Sequence, residues 1–95
     1  MRLSAVQQQC ILQATLQNFG DDAKVWLFGS RVDDSRRGGD VDLYVETTHG
    51  NNLMAELKCK IAIEESLDLH VDLVVNDPEK DKPIYHIAKK QGFQL

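Results

Sequence analysis

The run Asp40-Val41-Asp42-Leu43-Tyr44-Val45 alternates in polarity with a period of two, and it opens with two carboxylates on the same phase. That pattern belongs to a strand with one face in a core. Side chains two residues apart on a strand share a face and lie about 6.5 Å apart. Asp40 and Asp42 therefore project together, while Val41 and Leu43 point into the core. A later run, Leu69 to Val75, has the same construction: Leu69, Val71, Leu73 and Val75 share one face, and His70, Asp72 and Val74 share the other. If the two strands are neighbours, Asp72 stands beside the first pair and three carboxylates converge. Aspartate is depleted in strands, and like charges on adjacent positions repel. One of the three could protonate, but a divalent cation is the more economical solution. Mg²⁺ suits a few carboxylates plus phosphate oxygens better than a full protein cage. Two such ions about 3.5–4 Å apart would hold the attacking and leaving oxygens of an in-line displacement at phosphorus.

The rest of the chain supplies a frame for these strands. Ser4 followed by Gln7 reads as a capping box, ahead of Val6, Cys10, Ile11, Ala14 and Leu16 at helical spacing, with Gly20 as the stop. Val25-Trp26-Leu27-Phe28 is a short strand ended by Gly29. Residues 30–39 are aperiodic and read as a loop. A second helix runs from about Asn52 to Ser66, with Leu53, Met54, Leu57 and Ile61 expected to face inward. Pro83 suits the first turn of a last helix carrying Ile84, Ile87 and Ala88 and stopping near Gly92. The order is α-β-loop-β-α-β-α, an α/β or α+β arrangement of helices on a small sheet.

At 95 residues the chain is expected to form one domain over residues 1–95. No apolar run approaches the ~20 residues that a membrane span needs, and no signal core is present, so the cytoplasm is the expected compartment. Cys10 and Cys59 lack CxxC spacing and read as buried or half-buried thiols. The net charge of −4 argues against a broad nucleic-acid footprint. It does not exclude a polyphosphate, because a divalent metal reverses the local sign.

Gly29-Ser30 fits such a ligand. A glycine at a strand end lets a phosphate approach the backbone. The following N–H groups and the Ser30 hydroxyl can donate to its oxygens. Arg31, Arg36 and Arg37 could offset triphosphate charge, although exposed loop arginines are common. His70 shares the face of Asp72 but reads first as a satisfied strand histidine.

The segment Leu27-Phe28-Gly29-Ser30-Arg31, the loop to Gly39, and Asp40-Val41-Asp42-Leu43 together resemble the signature of the DNA-polymerase-β-like nucleotidyltransferase superfamily. Val71-Asp72-Leu73-Val74 looks like its later strand with the third carboxylate. Ile87-Ala88-Lys89-Lys90-Gln91-Gly92 is similar to the close of the minimal, MNT-type members. The loop departs from many relatives at Asp33-Asp34, where they carry a basic residue and a glycine. The resemblance implies a small mixed sheet flanked by helices, in the order α-β-β-α-β-α. It implies Mg²⁺ (two ions) and ATP, with Asp40 and Asp42 binding both metals. Asp72 would bind the catalytic metal and help deprotonate an acceptor hydroxyl. Gly29, Ser30, Arg31 and Arg37 would contact nucleotide. It also implies an antitoxin role: MNT-type proteins commonly pair with HEPN-domain toxins, and some transfer AMP from ATP to a toxin tyrosine.

Three functions follow. The first is an adenylyltransferase that modifies a HEPN toxin within a hetero-oligomer. The second is a nucleotide-binding module that blocks its partner by occlusion. The third is an enzyme acting on a small molecule or RNA end. It ranks last, because such relatives generally carry a further domain for the acceptor.

Overall fold

The computed structural model describes residues 3–29, 40–48 and 52–95. The first helix, α1 (Ala5–Phe19), starts at the expected capping box. Ser4 Oγ accepts the Gln7 N–H at 3.1 Å, and Gln7 Oε1 accepts the Ser4 N–H at 2.9 Å. It stops at Gly20, whose N–H donates to the Leu16 carbonyl from a backbone with φ of 99°, a region open mainly to glycine. Strands β1 (Lys24–Phe28) and β2 (Val41–Glu46) follow, then α2 (Leu53–Leu67), β3 (Val71–Val75), α3 (Pro83–Gln91) and a two-residue β4 (Phe93–Gln94).

The four strands form one mixed sheet in the order β3-β2-β1-β4. β1 pairs antiparallel with β2 and with β4, and β2 pairs parallel with β3. A parallel pair needs a crossover, and α2 is that crossover. The alternation in the sequence sets the two faces. Val25, Leu27, Val41, Leu43, Val45 and Val71 point toward α1 and α2 and join Ile11, Ala14, Phe19, Cys59, Ile63 and Leu67 in the main core. The opposite phase carries Trp26 and Tyr44, which α3 covers with Tyr85 and Ala88. The Tyr44 and Tyr85 rings stack at 5.3 Å, and Trp26 lies 5.6 Å from Tyr44. These aromatics are therefore sheet-face packing, as their place in the strands suggests.

The sequence does not reveal β4. Its two residues pair with Trp26 and Leu27 after the chain passes close over β1 at Gly92, where a Cβ would lie 2.7 Å from the Leu27 carbonyl oxygen. Both thiols are free. Cys59 is fully buried, and burial pushes its thiol up to about 11 against a hydrogen bond with Thr15. Among the described residues, no helix is long and apolar enough to cross a membrane.

One expectation is overturned. Leu53, Met54, Leu57 and Ile61 do not face inward; they are 66%, 60%, 44% and 52% exposed. The inward face of α2 is Cys59, Ile63 and Leu67. The helix carries two apolar rows at i, i+4, i+8, namely 53/57/61 and 59/63/67, about a third of a turn apart. Periodicity alone cannot choose between two such rows. Val6 and Ile87 are likewise exposed despite helical spacing.

The assignment of faces predicts opposite outcomes two positions apart. Ile63→Ala empties a fully buried site and is expected to cost about 2–5 kcal/mol. Ile61→Ala should stay within about 0.5 kcal/mol. Urea denaturation midpoints measure both, and equal losses would contradict this packing.

Candidate active site

The parallel register places Asp42 directly opposite Asp72, and the antiparallel register places Phe28 opposite Asp42. A row Phe28–Asp42–Asp72 therefore crosses three strands. The next row on the same face is Trp26–Tyr44–Val74, the one that α3 packs against. The carboxylates thus occupy the first positions on this face beyond the aromatic cluster. Asp40 lies one strand repeat further out. The Val41 N–H donates to the His70 carbonyl at 2.9 Å, which draws the Asp40 end of β2 against His70.

Four polar side chains consequently share one patch: Asp40 and His70 at its outer edge, Asp42 and Asp72 behind them. Ligand atoms of Asp40, His70 and Asp72 all lie within 4.8 Å of one another. The reverse phase, Val41, Leu43 and Val71, is fully buried. One residue of slip would exchange the carboxylates with core valines, so the hydrophobic pattern locks the register that assembles the patch.

The electrostatics match that crowding. Asp42 is held above the ordinary carboxylate value of 3.8 by burial first, then by the charges of Asp72 and Asp40 and a carboxyl–carboxylate hydrogen bond with Asp72. Without a counter-charge, Asp42 keeps its proton to a higher pH than an isolated aspartic acid does. A divalent cation among these oxygens would remove that need, and the donor set of carboxylates plus one imidazole suits one. Asp40, Asp42 and Asp72 are the residues that could hold it.

Gly29 ends β1 with φ of +78°. A Cβ there would meet Asp42 Oδ2 at 2.2 Å. The glycine is required by a positive φ and by the carboxylate pressed against it, a reason additional to phosphate access. Ser30, Arg31, Arg36 and Arg37 lie outside the described residues.

Sequence reasoning missed Glu64. Its side chain reaches from the last turn of α2, where Oε2 accepts the Val71 N–H at 2.9 Å and lies 3.2 Å from His70 Nδ1. No sequence signal pointed to it, because the apolar pattern of α2 left its orientation open. On the far side of α3, Lys89 donates to Glu46 at 2.8 Å and lies 6.0 Å over the Trp26 ring. That pair pins the helix to the sheet and does not reach the patch.

Two predictions follow from this geometry. Gly29→Ala forces both a positive φ and a collision with Asp42. It should destabilise the fold by about 1 kcal/mol or more, measured by chemical denaturation, and should weaken divalent-cation binding. Asp42 has a raised folded-state value, so the metal-free protein binds more protons folded than unfolded. Its contribution is full below the unfolded value of 3.8 and is lost as pH rises through the folded one. Asp42→Asn should therefore raise the melting temperature of the metal-free protein at neutral pH and flatten its fall with pH. An unchanged profile would contradict the crowding.

The family model of the nucleotidyltransferase domain matches residues 10–92. No curated protein matches the chain in sequence. The fold resembles several solved structures. One is that of a tri-AMPylated HEPN toxin in complex with MNT antitoxin from Shewanella oneidensis (TM-score 0.70, 21% identity, covering 94% of this chain and 68% of that one). Another is a toxin–antitoxin MntA–HepT structure (TM-score 0.67, 19% identity, 96% and 70%). A third is a toxin–antitoxin structure with AMP-PNP (TM-score 0.66, 21% identity, 88% and 68%). With the family model spanning residues 10–92, from within α1 to the end of α3, the chain belongs to the nucleotidyltransferase domain family.

Proposed function

We propose that this chain is a Mg²⁺-dependent adenylyltransferase that transfers AMP from ATP to a hydroxyl, by preference a tyrosine, of a HEPN-type helical toxin, and so acts as its antitoxin. The observation that carries the reading is the register pairing of Asp42 with Asp72 beside Asp40 on one open face. Structures of similar fold supply the partner class: one pairs an MNT antitoxin with an AMPylated HEPN toxin, and another includes AMP-PNP.

In this reading the acceptor oxygen attacks the α-phosphorus of ATP. The bond from that phosphorus to the bridging oxygen breaks, and pyrophosphate leaves with the electron pair. Asp72, more than half exposed at the edge of the patch, takes the proton of the hydroxyl. Asp40, Asp42 and Asp72 would hold divalent cations, which would supply positive charge against the negative charge that develops on the phosphoryl oxygens. Gly29 keeps the backbone at the end of β1 free of a side chain beside Asp42. Ser30, Arg31 and Arg37 complete the nucleotide contacts in the proposal. A cation there would let the three carboxylates coexist and would supply the charge that draws a triphosphate to an acidic protein.

A second reading, occlusion of the partner without catalysis, draws support from the exposed apolar row Leu53, Leu57 and Ile61 on α2. Such rows on a small protein commonly serve contacts with other proteins. Asp42→Ala separates the two readings. Incubated with labelled ATP, Mg²⁺ and the helical protein encoded next to it, the native chain should label that partner. Asp42→Ala should reduce labelling at least about a hundredfold, together with neutralisation of the toxin. Neutralisation that survives in Asp42→Ala would favour occlusion.

A further inference from the structure

The donor set contains a nitrogen that the carboxylate reading does not use. His70 is about half exposed and stands between two acids, with Nδ1 3.2 Å from Glu64 Oε2 and Nε2 3.5 Å from Asp72 Oδ1. A carboxylate only accepts hydrogen bonds, so the Nδ1 facing Glu64 carries the hydrogen. Nε2, at the other edge of the ring, lies 3.5 Å from Asp72 Oδ1, and ligand atoms of Asp40, His70 and Asp72 all lie within 4.8 Å of one another, a span that one cation can bridge. Glu64 is itself fixed: the same Oε2 accepts the Val71 N–H, and the Glu64 backbone carbonyl takes the Asp68 N–H that closes α2. The ring is thus oriented from behind by a carboxylate that the fold holds in place, the arrangement that sets the tautomer of metal-binding histidines.

We propose that His70 Nε2 is a direct ligand of a divalent cation held by Asp40 and Asp72, with Glu64 as the positioning residue behind it. This rests on the nucleotidyltransferase reading for the carboxylates and goes beyond it. A site with one imidazole among oxygens favours first-row transition ions over Mg²⁺, because imidazole suits the former while Mg²⁺ binds oxygen almost exclusively. The consequence is a metal preference: Mn²⁺ binds this protein more tightly than a site of carboxylates alone would bind it.

The test is metal binding by the full chain, read without activity. Pulsed electron paramagnetic resonance of the Mn²⁺-loaded protein should show a nitrogen coupling of the imidazole type, and His70→Gln should abolish it. Calorimetric titration should show the Mn²⁺ dissociation constant rising about tenfold in His70→Gln, with that for Mg²⁺ changing less than about twofold. Glu64→Gln keeps an acceptor for the Val71 N–H but not the carboxylate facing His70, and it should weaken Mn²⁺ by a smaller factor. If Asp40→Asn abolishes Mn²⁺ binding but the native protein shows no imidazole coupling, the inference is overturned and the carboxylate site stands. If Mn²⁺ binding does not depend on Asp40, Asp42 or Asp72, both fall together.

Discussion

The parallel pairing of β2 with β3 is the constraint on which the site depends. It is not favoured by the groups that it brings together, since it sets Asp42 beside Asp72 and raises the proton affinity of Asp42. What enforces it lies on the opposite face, where Val41, Leu43, Val45 and Val71 have no exposed surface. Burying one such side chain contributes about 1.5–3 kcal/mol, enough in sum to hold like charges together at the surface. Carboxylate crowding is therefore built into the register by the core, and a cation bound there would relieve it.

The two faces of the sheet divide the labour. One is covered by α1 and α2 and supplies the apolar core. The other is only partly covered, because α3 packs on the Trp26–Tyr44 row and stops short of the Asp42–Asp72 row. Tyr44 joins the two halves of that face. It stacks on Tyr85 and donates to Glu46, which also receives Lys89 and is held below the usual carboxylate range chiefly by that lysine. A rigid aromatic floor thus lies one strand repeat behind the carboxylates, which suits groups that must hold their spacing when a ligand binds.

Much of this is legible in the sequence where a short-range pattern decides the outcome. Period-two alternation fixes which side chains of β2 and β3 share a face, and the Ser4–Gln7 box and Gly20 bound α1. Long-range choices are not legible. Whether β3 lies beside β2 depends on the α2 crossover, and the side of α2 that faces inward depends on which of two apolar rows meets the core. The expectation that Leu53, Met54, Leu57 and Ile61 face inward fails on such a long-range choice, and the inward side of Cys59, Ile63 and Leu67 brings Glu64 with it. Its relation to His70 spans six residues and a left-handed turn at Asp68. The short β4 carries too few residues to show a period at all.

We propose that the patch of Asp40, Asp42 and Asp72 is where this protein holds divalent cations. Paramagnetic broadening of backbone amide signals by substoichiometric Mn²⁺ tests it most directly, because the effect falls steeply with distance from the ion. The amides of Gly29, Val41, Asp42, Val71 and Asp72 should broaden first and recover on chelation. Broadening centred on another acidic stretch, such as Asp21–Asp22 or Asp77–Asp81, would contradict it.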